Sequence, residues 1–374
     1  MVFVRHALPD ELVRVVVTDG GPHSSYWRAD AVEVLEAAPG RVDPPCPWAG
    51  PGKCGGCDWQ HASLHVQRSL KAHVVQEQLS RLAGIERDVV VEAVPGDRDG
   101  LDWRTRVTYA VDESGRAGLR AHRSHHVVPI DFCRIAHPLV RDAAVEQRTW
   151  PPDRSVDVSC APATGERLVL VDGVLDRELS VLRGEDAAVV EEDDGRPFRV
   201  TGGGFWQVHP GAPSTLRSAV IESLGPQPGE SALDLYGGVG LFAAALAGRV
   251  GPGGRVTLVE GDPTAVADAR HNLADLSAVR IERGRVDHVL RRLRLRRADV
   301  VVLDPPRSGA GRAVVDLVSR VRARRIAYVA CDPAALARDL KWFAERGYAL
   351  VDLRAFDLFP MTHHVECVAT LAPA

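Results

Sequence analysis

The sequence predicts an α/β fold: a doubly wound, largely parallel sheet closed by a C-terminal antiparallel hairpin, with a β-rich region before it. From Ser231 to Phe242, SALDLYGGVGLF, a short apolar run ends in a glycine cluster, and the helical pattern LFAAALAGRV overlaps its end. That order reads as strand, tight turn, helix. Strand-like runs then alternate regularly: VTLVE, VRIER, ADVVVLD, RIAYVAC, ALVDLRAF and HVECVATL, with helical patterns between the first five. Between residues 85 and 200 the pattern is instead of short strands, VVVEAV, RVTYAVD, RLVLVDG and FRVTG, so a chain of 374 residues is expected to hold more than one domain.

Gly237, Gly238 and Gly240 let the backbone bend sharply and come close to a ligand. Glu260 ends the next strand, about one βαβ unit on, where a carboxylate can accept hydrogen bonds from a ribose. A nucleoside-containing cofactor beyond the strand ends is the minimal reading. Gly238, Gly240 and Ala243 also satisfy G-x-G-x-x-A, so an NAD-dependent oxidoreductase competes. A sheet ending in an antiparallel hairpin suits an S-adenosylmethionine enzyme better.

Residues 1–40 alternate hydrophobic and polar positions (Val2, Val4; Leu12, Arg14, Val16) around an ALPDE turn, predicting a β unit of three or four strands. The alternation is under way from the first residues, so the opening strands of a complete unit are expected to be missing. The following segment, RVDPPCPWAGPGKCGGCDWQH, is too rich in proline and glycine for regular structure and needs something else to order it. Cys46, Cys54 and Cys57 put three thiols there, the last two as CxxC, and Cys133, on a turn after a predicted strand, offers a fourth. A disulfide is disfavoured in a reducing cytosol, while zinc and an iron–sulfur cluster both accept four thiolates. Residues 62–84 predict one helix with apolar positions Leu64, Leu70, Val74, Val75, Leu79 and Leu82, ended by Gly84. Arg104 and Arg106 alternate along a later strand and read as solvated rather than phosphate-binding.

Composition is that of a globular chain, 45% hydrophobic and 26% charged, with no apolar run long enough to cross a bilayer. The N-terminus lacks a secretory h-region, so a cytoplasmic location is expected. A net charge of −4 gives no global basic field for nucleic acid. The arginine clusters at Arg291–Arg297 and Arg322–Arg325 read as solvated helix faces.

Chemistry is expected at strand ends. One strand stops at Asp304-Pro305-Pro306-Arg307, where two prolines fix an extended backbone behind the carboxylate. The next stops at Cys331-Asp332-Pro333 as a helix begins, so the helix dipole is expected to favour thiolate. Glu366 enters the last strand beside Thr362 and His364. Each has a bland alternative: a structural cysteine, a solvated glutamate, a rigid turn.

Occurring together in this order, these stretches resemble the uracil-C5 RNA methyltransferase family, which forms 5-methyluridine in ribosomal or transfer RNA. The matching runs are FWQV (205–208), DLYGGVGLF (234–242), the strand ending in Glu260, DPPR (304–307), YVACDPAALARDL (328–340) and FDLFPMTHHVE (356–366). The resemblance implies a Rossmann-like class I methyltransferase domain. It implies that Gln207, Tyr236, Gly238, Gly240, Glu260 and Asp304 bind S-adenosyl-L-methionine, with Cys331 as nucleophile and Glu366 as general base. The cysteine loop resembles members that carry a 4Fe-4S cluster, which would make Cys46, Cys54, Cys57 and Cys133 its ligands and zinc the alternative. The N-terminal strands resemble the OB-like, RNA-binding TRAM domain. The implied organisation is a partial TRAM unit at 1–40, a central β-rich iron–sulfur domain at 41–66 and 98–203, and the methyltransferase domain at 67–97 and 204–374. Two departures stand out: the loop between Cys46 and Cys54 is longer than is common in the family, and His209 stands where many members have Asn.

The expected function is methylation of carbon 5 of a uridine in RNA, with 23S rRNA favoured over tRNA, by a monomer with no membrane partner. The rivals are a tRNA enzyme, a non-catalytic RNA-binding or assembly factor, and the NAD-dependent oxidoreductase.

Overall fold

A computed structural model describes all residues, 1–374. Strands β1 (Val2–Arg5), β2 (Leu12–Asp19) and β3 (Trp27–Glu36) form a small sheet in the order β1-β3-β2. It leaves Phe3, Leu12, Val16 and Val32 exposed. Arg41 bonds Glu11 and the His6 carbonyl, tying this sheet to the cysteine-rich loop that follows.

Helix α1 (Leu64–Gln78) starts at Ser63, whose hydroxyl caps the Val66 N–H. The single helix predicted for 62–84 instead passes into one π turn, Leu79–Ala83, and stops at Gly84, φ 67°. Its buried face also differs from the apolar pattern. Gln67, Lys71, Val75 and Leu79 are buried at i, i+4 spacing, whereas Val74 and Leu82 are 37% and 39% exposed. The polar pair is buried because partners elsewhere in the fold satisfy it, which hydrophobic periodicity cannot register.

Of the VVVEAV run only β4 (Val91–Glu92) is a strand, because only those residues find a partner, at the edge of the large sheet. An antiparallel six-stranded sheet follows, built from β5 (Arg106–Val111), β6 (Ala117–Arg120), β7 (Val127–Pro129), β8 (Ser155–Ala161), β9 (Glu166–Val171) and β10 (Val174–Leu175), in the order β10-β9-β8-β5-β6-β7. A short helix, α2 (Pro138–Arg141), lies between β7 and β8. Its core gathers Trp103, Tyr109, Ile135, Val156 and Val158. A hairpin, β11 (Ala188–Asp193) and β12 (Arg196–Thr201), completes this region. Arg106 is not solvated as expected: it is mostly buried and pairs with Glu191 on β11 at 3.1 Å.

The rest alternates as anticipated: α3 (Ala212–Leu224), β13 (Ser231–Leu235), α4 (Leu241–Val250), β14 (Arg255–Glu260), α5 (Pro263–Asn272), β15 (Val279–Arg283), α6 (Val286–Leu293), β16 (Val300–Leu303), α7 (Arg312–Arg320), β17 (Arg325–Ala330), α8 (Pro333–Ala344), β18 (Tyr348–Phe356) and β19 (Glu366–Pro373). The eight-stranded sheet runs β15-β14-β13-β16-β17-β19-β18-β4, parallel through β17, with β19 antiparallel between β17 and β18. Strand residues alternate between two cores. Val300 and Val302 face α3, α4 and α5, while Val301 and Leu303 face α6, α7, α8 and the end of α1. Burial on both faces is why β16 is apolar throughout. The β13–β14–β16–β17 ends and the start of β19 share one edge.

Candidate active site

At that edge the glycine turn comes first. Tyr236 has φ 64°, and its N–H and that of Gly237 both donate to the Val259 carbonyl, at 2.9 and 3.2 Å. Gly237 lies so close to Leu258 that a Cβ would sit 2.6 Å from its Cγ, so only glycine fits there. Glu260 accepts from the N–H groups of Gly238 at 3.0 Å, Gly261 at 2.6 Å and Asp262 at 2.7 Å, so the acidic residue and the glycine turn form one unit. Gln207 is half-buried in the loop before α3. Next to it, His209 is buried, which lowers its pKa to about 4; its Nδ1 accepts the Gly211 N–H and its ring stacks on Trp103.

Beneath the turn lies a residue the sequence reading passed over. Asp234 sits inside the apolar run of β13, fully buried, and neither carboxylate oxygen makes a hydrogen bond of good geometry. Burial pushes its pKa up to about 8; the Ala243 amide offsets only part of that, and the charges of Asp304 and Glu260 add to it.

Cys331 and Glu366 lie next to each other at one end of the sheet. The β17–β19 ladder ends in the Ala330–Cys367 pair, which puts residue 366 opposite residue 331 one step further on. Asp304 lies on the same edge at the end of β16, next to β17. The Cys331 thiol is pushed up to about 11, first by burial and then by Glu366 and Asp304, with Arg307 opposing. Glu366 is raised well above the usual carboxylate range by burial and by Asp304, again against Arg307. Burial raises Asp304 to about 7. The expectation that the helix dipole favours thiolate is therefore corrected. Asp332, not Cys331, is the N-cap of α8, accepting the Ala335 N–H at 2.7 Å, and burial among carboxyls outweighs the dipole at the thiol.

The loop 357–365 leads directly into Glu366. His364 is held neutral, its pKa lowered to about 4 by burial and then by His363 and Arg307, and its Nε2 accepts from Arg307 at 3.4 Å. His363 Nδ1 donates to Asp58 of the cysteine-rich loop at 2.6 Å. Burial alone would raise Asp58, but that bond and Arg5 hold it below its ordinary value.

His363 also stands at the side of an open groove of about 930 Å³ between the three-stranded sheet, the cysteine-rich loop and residues 121–123. Phe3 and Tyr26 give it aromatic surface, and Arg28, Lys53 and Arg123 give it positive charge. Its carboxylates are engaged: Asp58 with His363 and Arg5, Asp30 with Arg5. Arg28 pairs with Asp19 at 2.9 Å, which leaves Lys53 and Arg123 without a carboxylate partner; aromatic faces beside such cations suit single-stranded nucleic acid.

Cys46, Cys54, Cys57 and Cys133 line one cavity, together with Gln60 and Arg104, and none is in a disulfide. Arg104 is half-buried beside the thiols, its Nε donating to the Arg106 carbonyl at 3.0 Å. Gly55 packs against the His122 backbone, where a Cβ would meet its nitrogen at 2.4 Å, so the CxxC turn seats directly on the chain after β6. Burial raises the thiols of Cys54, Cys57 and Cys133, the last to about 11. No three potential ligands are close enough to hold a single metal ion. A tetrahedral zinc needs sulfurs about 3.8 Å apart, from Zn–S bonds of about 2.3 Å.

An RNA methyltransferase of Streptomyces avermitilis is 52% identical over 100% of this chain and 93% of its own length. The family model described as tRNA (Uracil-5-)-methyltransferase matches residues 198–373. The 23S rRNA (uracil(1939)-C(5))-methyltransferase RlmD of Shewanella sp. is 31% identical over 99% of this chain and 90% of its own. The chain belongs to the uracil-C5 RNA methyltransferase family. The crystal structure of Pyrococcus abyssi tRNA (uracil-54, C5)-methyltransferase in complex with S-adenosyl-L-homocysteine has the same fold, with a TM-score of 0.74 at 24% identity over 99% of this chain and 95% of that one. The methyltransferase has no helix long and apolar enough to cross a membrane.

Proposed function

We propose that this enzyme methylates carbon 5 of a uridine in 23S rRNA, in the cytoplasm, through a covalent adduct with Cys331. The observation that supports this most is the placing of Cys331 and Glu366 on neighbouring strands at the sheet edge that also bears the glycine turn. Bound S-adenosylmethionine would supply an electrophilic methyl group on a sulfonium. Gln207, Tyr236, Gly238, Gly240, Glu260 and Asp304 are the groups we assign to holding it.

Carbon 5 of uracil is a weak nucleophile. Attack of the Cys331 thiolate on carbon 6 forms the S–C6 bond and moves the ring's electron pair towards carbon 5, which then takes up the methyl group as its bond to the sulfonium breaks and leaves a neutral thioether. Glu366 removes the remaining proton on carbon 5. The released pair re-forms the C5–C6 double bond and expels the thiolate. A carboxylate with a raised pKa is a stronger base than an ordinary one, which suits Glu366 to that step. Arg307, the one cation acting on both groups, offsets their charge. The target base must leave any stacked helix to reach the pair, and the groove beside His363 supplies a path for flanking nucleotides.

We assign residues 1–40 to a TRAM-like unit, 41–66 with 98–203 to a central iron–sulfur domain, and 67–97 with 204–374 to the methyltransferase domain. The joining of β4 to the large sheet and the packing of α1 residue Val75 in its core support the last. Cys46, Cys54, Cys57 and Cys133 would hold a 4Fe-4S cluster, cross-linking the loop to the turn after β7. The likeness to RlmD over nearly the whole chain favours 23S rRNA, against the tRNA in the family model's description. Mapping 5-methyluridine in rRNA and tRNA from cells with and without the gene tests the proposal. Loss at a 23S uridine is expected, loss only in tRNA moves the substrate, and no loss in either refutes the activity.

A further inference from the structure

The loop between β18 and β19 is gripped by side chains that no chemical step above employs. Gln67 and Lys71, one turn apart on α1, are 0% and 1% exposed. Lys71 forms an ion pair with the fully buried Asp357 and donates to the Phe359 carbonyl at 3.0 Å. Gln67 accepts the Met361 N–H at 2.8 Å while donating to the Ala62 and Trp59 carbonyls at 2.8 and 3.1 Å. The Trp59 N–H donates in turn to the Met361 carbonyl at 3.0 Å, so Met361 is held at both its backbone groups. Met361 has φ 68°, a left-handed conformation that a residue with a Cβ resists and keeps only under outside constraint.

Stability alone does not account for this arrangement. An apolar pair of similar volume commonly serves a core as well as a buried ion pair or better. Polar groups add direction. The ladder with β17 fixes the height of Glu366 in the sheet, and the loop tip leads into it and carries His364, which Arg307 bonds at 3.4 Å while acting on Glu366. We propose that Gln67 and Lys71 are positioning residues for Glu366, acting through the tip 357–361. The inference rests on Glu366 being the base.

Its test uses the full chain with S-adenosylmethionine and, as substrate, total RNA from a strain lacking the gene. Wild type, Glu366→Gln, Gln67→Met, Lys71→Met and Lys71→Met/Asp357→Leu are compared for thermal midpoint, S-adenosylhomocysteine affinity, and build-up and decay of a denaturant-stable protein–RNA adduct. Lys71→Met should lose thermal stability, and the double variant should regain it because no charge is left unpaired. Gln67→Met and both Lys71 variants should accumulate adduct and release product ~10- to 100-fold more slowly, the size expected of a misplaced catalytic group. Cofactor affinity should not change. A double variant that regains fast release together with stability reduces the pair to a structural role and overturns the proposal, as does normal release by Gln67→Met. If Glu366→Gln accumulates adduct while the α1 variants do not, this inference alone fails. If Glu366→Gln accumulates none, the base assignment fails and takes this inference with it.

Discussion

Glu366 stands across the β17–β19 ladder from Cys331, and its charge helps hold that thiol at about 11. The proposed nucleophile is therefore held as a thiol in the free enzyme, and the group assigned to finish the reaction discourages its early ionisation. Such a pair resists adventitious alkylation and oxidation until substrate occupies the space between its members.

The division of labour is separable by mutation. Cys331→Ala should form no denaturant-stable adduct with substrate RNA. Glu366→Gln should form it and stall, with turnover reduced by at least ~100-fold, as for loss of a general base. Gel analysis of labelled RNA distinguishes the two, and equal behaviour would remove the assignment.

The stored thiol has a pH signature. Below a pKa of about 11 the thiolate fraction grows with pH. Iodoacetamide labelling of Cys331 in the ligand-free enzyme should therefore speed up ~10-fold per pH unit through the neutral range, because only thiolate reacts. Cys331→Ala corrects for the other six cysteines, and a rate flat above neutral pH would mean an already ionised thiol.

Asp234 predicts the opposite of ordinary acid denaturation. Its folded-state pKa of about 8 lies above its ordinary 3.8, so the folded state binds the proton more tightly. That contribution is complete below the ordinary value and is lost as pH rises through about 8. The thermal midpoint of the ligand-free enzyme should fall between about pH 5 and about pH 9, and Asp234→Asn should flatten the fall, since an amide carries no charge to bury. Calorimetry across pH checks this. An unchanged slope in the variant would place the proton elsewhere.

The cysteine cavity predicts a brown protein containing iron and sulfide when purified without air. Cys54→Ser or Cys133→Ser should lose colour and iron together, and the loop 41–61 should become protease-sensitive, since its proline and glycine cannot order it alone. A colourless protein with stoichiometric zinc would rule out the cluster.

The large sheet is legible in the sequence because its physics is local. Val300–Leu303 is apolar without a break since each face meets a helical layer, and the glycine turn declares itself by residues that tolerate no Cβ. The strand-end residues Asp304, Cys331 and Glu366 are legible for the same reason. What stays hidden depends on distant partners. Gln67 and Lys71 read as surface positions until Asp357 and Met361 are brought beneath them, and Asp58 gives no sign of its bond to His363. Asp234 looks like one interruption of an apolar run. The state of Cys331 follows first from burial and then from Glu366, Asp304 and Arg307 on other segments, which a helix-dipole rule for one terminus leaves out.

The large sheet ends in β4, two residues from a stretch that precedes the entire six-stranded sheet, and the lysine that neutralises Asp357 comes from still earlier in the chain. The C-terminal half consequently cannot be excised as a self-sufficient cassette. Expressed alone it would carry an orphaned buried carboxylate and an open sheet margin, so recombination or gene fission near residue 204 should yield insoluble product. Insertions are better tolerated at the exposed Gly173 turn between β9 and β10.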